Sequence, residues 1–153
     1  WAISTLNNHG FVGRVREKDH CLRQLAIKEL ISPPINYAAI GEKVAPMVAI
    51  DKYFSDLVAA NPELRVRVAN PDEMRSNRMN LTLDRIKHRV LDVELDQAEA
   101  VQGGVITALN EEAVVSAVLA NKQGLNIAVS YEAFAVKMLG AMRQEAIFSD
   151  EVC

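Results

Sequence analysis

The chain reads as an α/β protein, a three-layer sandwich with a mainly parallel sheet flanked by helices. Three observations predict this class. Stretches with apolar residues at every second position take turns with stretches of helical spacing, the pattern of strands joined by crossover helices. One predicted helix, residues 111–121, is apolar nearly all the way round through Val114, Val115, Ala117, Val118, Leu119 and Ala120, which suits a central helix or an oligomer contact. Finally, 153 residues of which 50% are hydrophobic are enough for one domain with a substantial core.

Residues 1–39 are mixed in character and read as a lead-in arm or linker carrying one short helix near 19–30. Pro33 and Pro34 close the arm, because proline cannot continue a helix. Residues 40–153 read as the domain proper. Val44, Met47, Val48, Ile50, Tyr53, Phe54, Leu57 and Val58 recur at helical spacing, and Asn61-Pro62 ends that segment. Leu64-Arg65-Val66-Arg67-Val68-Ala69 alternates as a strand does. It runs into Asn70-Pro71-Asp72-Glu73, where a capping side chain, a proline and two acids together predict a helix over about 71–89. Residues 91–103 are polar and acidic and read as a surface connection. A strand follows over 104–109, then the apolar helix, which Asn121-Lys122-Gln123-Gly124 stops. Residues 125–130 form a further strand, and 131–148 a helix with the apolar stripe Phe134, Met138, Leu139, Met142 and Ile147.

Charge and cysteine usage narrow the function classes. Both signs are interspersed and the formal net charge is −3, which argues against broad binding to nucleic acid or to an anionic membrane. No apolar run reaches the length of a membrane span, so a cytoplasmic protein is expected. Cys21 and Cys153 lack the spacing of a disulfide framework or a zinc site, and His9 and His20 have no partners at metal-ligand spacing. The first residue is Trp1 rather than Met, which suggests a fragment, a processed product or one piece of a split polypeptide.

Ligands of open α/β sheets bind outside the carboxyl ends of the strands. Three loops should therefore converge there: Asn70 to Arg78, Asn110 to Glu112, and Ser130 to Phe134. Together they carry carboxylates, arginines, a serine, an asparagine and two aromatics, a mixture suited to an organic cofactor or a phosphorylated substrate. Glu111 and Glu112 stand where the apolar strand meets the apolar helix. Acids in a first helical turn also stabilise the helix dipole, and Glu112 keeps that reading. Arg78 could grip a phosphate through two parallel hydrogen bonds or lie on a solvated face, and Tyr131 and Phe134 could serve a ligand or ordinary packing. Arg85, Lys87, His88 and Arg89 are assigned to a solvated helix face.

These same loops carry a family resemblance. Asn70-Pro71-Asp72-Glu73-Met74-Arg75-Ser76-Asn77-Arg78 resembles the Pro-Asp-Glu…Ser-Asn-Arg signature of phosphoketolases. Leu109-Asn110-Glu111 is similar to the strand end carrying their cofactor-activating glutamate, and Ser130-Tyr131-Glu132-Ala133-Phe134 to their Ser-Tyr-Glu-Ser/Ala-Phe motif. The three motifs share the family's order and approximate spacing, and the resemblance covers about residues 40–148. It implies the middle, pyrimidine-binding domain of a thiamine diphosphate-dependent, transketolase-like enzyme of carbohydrate metabolism. That enzyme cleaves xylulose 5-phosphate or fructose 6-phosphate with inorganic phosphate, giving acetyl phosphate and an aldose phosphate.

The resemblance also implies residue roles. Glu111 becomes the catalytic carboxyl group that hydrogen-bonds N1′ of the aminopyrimidine. Tyr131, Phe134 and Glu73 join it around the cofactor, and Ser76, Asn77 and Arg78 shape the substrate funnel. The Gly-Asp-Gly…Asn motif that holds the diphosphate through Mg²⁺ is missing from the sequence, so the metal ligands are expected on another domain or subunit. After Glu111 the family commonly has His, whereas Glu112 follows here, and the segment between Glu111 and Tyr131 is slightly short. The chain alone is therefore expected to be inactive. Its expected partners are the diphosphate-binding half and further copies in a homo-oligomer. A non-catalytic module of the same fold, acting in oligomerisation or regulation, and a subunit of a split transketolase are the alternatives.

Overall fold

The computed structural model describes residues 2–6, 29–35, 41 and 43–152, with side chains for all of these but 2, 6 and 148–152. The expected helix near 19–30, His9, His20 and both cysteines lie outside the described residues, apart from 29 and 30, which are irregular. The elements in chain order are α1 (Ala2–Leu6), α2 (Pro46–Ala60), β1 (Val66–Ala69), α3 (Asn80–Ile86), β2 (His88–Arg89), β3 (Glu99–Ala100), β4 (Val105–Ile106), α4 (Glu111–Leu119), β5 (Leu125–Ala128), α5 (Glu132–Ala135) and α6 (Leu139–Val152). One 3₁₀ turn, Val136–Met138, joins the last two helices.

The sheet has five strands in the order β3-β2-β4-β1-β5, and every pairing is parallel. Strand side chains alternate between faces, and the core divides accordingly. Val68, Val105 and Leu125 pack with Phe54 and Val58 of α2 and Leu83 of α3. Ala69 faces the other way, against Val114, Val115 and Val118 of α4, Met138, and Ala141 of α6. Helices thus cover both faces, and the expected three-layer α/β class holds.

Local chemistry explains most element boundaries. Pro46 opens α2, where its missing N–H costs nothing. Met47, Asp51, Phe54 and Val58 share the inner face of that helix, and three of them are apolar. Asp51 is the exception: it is 3% exposed, and its two carboxylate oxygens accept the backbone N–H groups of Leu81 at 2.8 Å and Thr82 at 2.9 Å. A side chain of α2 thereby caps the amino end of α3, a duty that a local residue usually performs.

The single helix expected over 71–89 is a correction. Residues 71–79 are tight turns, and only Asn80–Ile86 is helical. Polar side chains satisfy the turn backbone instead. The Asn70 amide donates to Asp72 O at 3.0 Å, the Ser76 hydroxyl to Glu73 O at 2.8 Å, and the Asn77 amide to Glu73 O at 3.1 Å. Arg78 at φ 58° and Lys87 at φ 59° take the left-handed conformation on either side of α3, and neither can continue a helix. Past Lys87 the chain enters β2, so His88 and Arg89 belong to a strand and not to a solvated helix face. Arg85 points inward enough to donate from Nε to the buried Ser55 hydroxyl at 2.9 Å.

The connection 91–103 is largely exposed as expected, yet it contributes the edge strand β3. At the amino end of the sheet, buried Asn121 joins β1 to β5. It accepts from Arg65 Nε at 2.7 Å and donates to Arg65 O at 2.8 Å and to Asn126 Oδ1 at 2.9 Å. At the other end of α2, Asn61 receives the Ile31 N–H at 2.9 Å and donates to Ile31 O and Leu57 O, each at 2.8 Å. These bonds tie the segment 29–35 to the end of α2.

Candidate functional site

β1 and β4 are neighbours, but the chain leaves β1 toward α3 on one face and leaves β4 toward α4 on the other. Two loops that diverge from adjacent strand ends leave a crevice between them, the usual ligand position in such sheets. A cleft of about 420 Å³ lies there, lined by Pro71, Asp72, Glu73, Ser76, Thr107, Leu109 and Tyr131. A second cleft of about 320 Å³ shares Asp72, Glu73 and Thr107 with it and reaches Arg75, His88, Gln97 and Glu99 toward the β2–β3 edge.

Two of the three converging loops meet through side chains. The Tyr131 hydroxyl, from the loop after β5, donates to Ser76 Oγ at 2.9 Å in the loop after β1, and the Ser76 hydroxyl in turn donates to Glu73 O. Tyr131, Ser76 and Glu73 therefore form one wall of the larger cleft. Leu109, 91% exposed, and Tyr131, 45% exposed, give it an apolar rim open to solvent.

Glu111 occupies the first position of α4. Asn110 caps that helix, accepting the Ala113 N–H at 2.9 Å through its side chain, and this fixes the direction in which the helix leaves β4. The Glu111 side chain is 12% exposed, and its Oε2 lies 3.5 Å from Lys137 Nζ. The same ammonium sits 5.0 Å above the Phe134 ring centre, a cation–π distance. Glu111 and Phe134 thus belong to a small cluster around Lys137 rather than to the lining of either cleft. Glu112 is exposed and its Oε1 lies against Gly140 of α6, where an added Cβ would come within 3.3 Å of it.

The remaining expected residues of the loop after β1 divide in the same way. Asn77 is buried, with its amide nitrogen donating to Asn70 Oδ1 at 3.2 Å and to Glu73 O, so it ties the turn to the end of β1. Arg78 is exposed on its left-handed residue, outside the lining of both clefts.

Four features of this edge escaped the sequence reading. Asp51 holds α3 beneath the loop; its position among Met47, Phe54 and Val58 on the inner face of α2 is the signal that marks it. Lys137 follows Phe134 at the i,i+3 spacing of helical neighbours. Asp72, a residue that lines both clefts, has Oδ2 buried without a hydrogen-bond partner among the described residues. His88 Nδ1 lies 3.1 Å from the Thr107 hydroxyl, and a two-residue strand gives no periodicity by which to place it. Burial holds the His88 pKa below its ordinary value of 6.5, with Arg75 adding to that effect and Glu99 opposing it. Among the described residues no group of three or more His, Cys, Asp or Glu side chains could hold a metal ion, and no helix is long and apolar enough to cross a membrane.

Comparison with known proteins places these loops in a family. The sequence profile of the family described as D-xylulose 5-phosphate/D-fructose 6-phosphate phosphoketolase matches residues 48–152, well over half of the chain and all three strand-end loops. A search of curated proteins gave no match.

Proposed function

The chain belongs to the D-xylulose 5-phosphate/D-fructose 6-phosphate phosphoketolase family, and from that premise we propose that residues 40–153 form the pyrimidine-binding part of a thiamine diphosphate-dependent aldehyde-lyase, with residues 1–39 as a lead-in arm. The complete enzyme cleaves xylulose 5-phosphate or fructose 6-phosphate with inorganic phosphate, yielding acetyl phosphate and a shortened aldose phosphate. The observation that carries this reading is the cleft between the loops that diverge from the ends of β1 and β4, with Glu111 standing at the first turn of the helix that leaves β4.

The side chains fit the pyrimidine end of the cofactor. Leu109 and Tyr131 offer an exposed apolar rim for a flat ring, while Ser76, Thr107 and Asp72 add polar side chains to the lining of the same cleft. When bound, thiamine diphosphate supplies a nucleophilic ring carbon that takes up the two-carbon unit of the sugar. Glu111 is assigned the hydrogen bond to N1′ of the aminopyrimidine, reaching it from the first turn of α4. Tyr131 and Phe134 pack near the ring, and Glu73 closes the wall beside Ser76. Ser76, Asn77 and Arg78 shape the entrance for the sugar phosphate, Arg78 as the phosphate contact and Asn77 as the residue that keeps the turn in shape. No basic side chain lines the larger cleft, so the diphosphate and its Mg²⁺ are assigned to a partner domain or subunit. The enzyme is placed in the cytoplasm as a homo-oligomer, with no role for nucleic acid or membrane.

The test is reconstitution. The pure 153-residue chain should show no sustained turnover, and the chain mixed with a diphosphate-binding partner should release acetyl phosphate from either ketose phosphate. Turnover by the chain alone refutes the division of the site. Sugar exchange without acetyl phosphate identifies a transketolase, and inactivity with every partner leaves a non-catalytic module.

A further inference from the structure

Lys137 stands at an unusual place. Its ammonium lies against Glu111 in the first turn of α4 and Phe134 of α5, two residues assigned to the cofactor, while its own side chain is 58% exposed. The Glu111 side chain, 12% exposed, has given up most of its water, and Lys137 is the cation paired with it. A carboxylate so enclosed needs a partner, and a flexible lysine reached from solvent is one that can leave. The ion pair is long at 3.5 Å and half open, so it holds Glu111 only weakly.

We propose that Lys137 is a positioning residue that serves as a stand-in cation for Glu111. Its ammonium holds the carboxylate in place between α4 and α5 while the site is open, and swings into solvent when a ligand's ring nitrogen takes its position. The Phe134 ring supports the ammonium in the first state and is uncovered in the second, which frees its face for packing on the ligand. This inference rests on the proposed role of Glu111 at the aminopyrimidine. It adds that the site is held by competition, so that removing the lysine favours the ligand.

The probe is 4-amino-5-hydroxymethyl-2-methylpyrimidine, titrated into the 153-residue chain and followed by the Glu111 side-chain carboxyl ¹³C resonance and the backbone amides of residues 109–113 and 131–135. Lys137→Met should bind the probe about two- to fivefold more tightly than wild type, the range that loss of one half-exposed ion pair permits. Lys137→Arg, which keeps the cation, should bind as wild type does. In a Glu111→Gln background the Lys137→Met gain should vanish. Unchanged or weaker binding by folded Lys137→Met, while Glu111→Gln weakens binding, overturns the stand-in role and spares that of Glu111. Probe binding that Glu111→Gln leaves unaltered, or none in any variant, removes Glu111 from the site and overturns this inference along with it.

Discussion

Asp51→Ala tests whether a buried carboxylate on one helix holds the start of another. The wild-type side chain is 3% exposed and accepts two backbone N–H groups, from Leu81 at 2.8 Å and Thr82 at 2.9 Å. A hydrogen bond to a charged group is worth about 1.5–3 kcal/mol, and an exposed helix cap in total about 0.5–2 kcal/mol. Alanine deletes both bonds and leaves the N–H of fully buried Thr82 without a partner, while Leu81 is half exposed. Two bonds near the lower end of that range predict a loss of about 3–4 kcal/mol, a large part of the 5–15 kcal/mol typical of a domain. The assay is urea unfolding, where the midpoint should fall with the slope unchanged, combined with hydrogen exchange at Leu81 and Thr82. Asp51→Asn should lose less, because one oxygen remains to accept while the new NH₂ opposes the other donor. A loss for Asp51→Ala no greater than that of an exposed cap would refute the reasoning. It would mean that α3 is held by its apolar face alone.

Other outcomes follow from the same geometry. Asn61→Ala removes the amide that binds Ile31 on both its N–H and C=O, so limited proteolysis should cut within 29–35 far faster while the rest of the domain stays resistant. Gly103→Ala would place a Cβ 2.4 Å from the His88 carbonyl oxygen and 2.7 Å from Arg89 N. Both are backbone atoms of a sheet strand, so a loss of about 3 kcal/mol or more is expected in the same urea assay. The His88 pKa is lowered in the folded chain by burial, so the unfolded chain binds more protons near that value. Its contribution to stability is complete above the ordinary value of 6.5 and is lost as pH falls through the lower folded value. Unfolding at pH 7.5 and below pH 6 should show that slope, and His88→Gln should flatten it.

The layers and the parallel sheet were legible because they rest on residues that repeat. Val66 and Val68 alternate, α2 carries its stripe for fifteen residues, and α4 is apolar enough to demand cover. The loop after β1 misled for a physical reason: Asn70-Pro71-Asp72-Glu73 is a good helix start, but Asn70, Ser76 and Asn77 spend their side chains on turns within the loop. The true start of α3 is capped by Asp51, thirty positions away for Leu81, a contact that no local pattern announces. β2 and β3 have two residues each, too few for any period. At the site, the order of the motifs put Glu73, Ser76 and Tyr131 on converging loops, and the three line one cleft. They did not foresee that Phe134 turns toward Lys137 and Glu111, because that depends on how the 3₁₀ turn places position 137.

The central claim is that Glu111 activates a thiamine cofactor held at this strand edge. Proton exchange at C2 of thiamine diphosphate bound to the reconstituted enzyme tests it most directly. Glu111→Gln should slow that exchange by about a hundredfold or more, the scale of a lost acid–base group, with the fold and probe-free spectra unchanged. Exchange at the wild-type rate in that variant would contradict the claim and take Glu111 out of the chemistry.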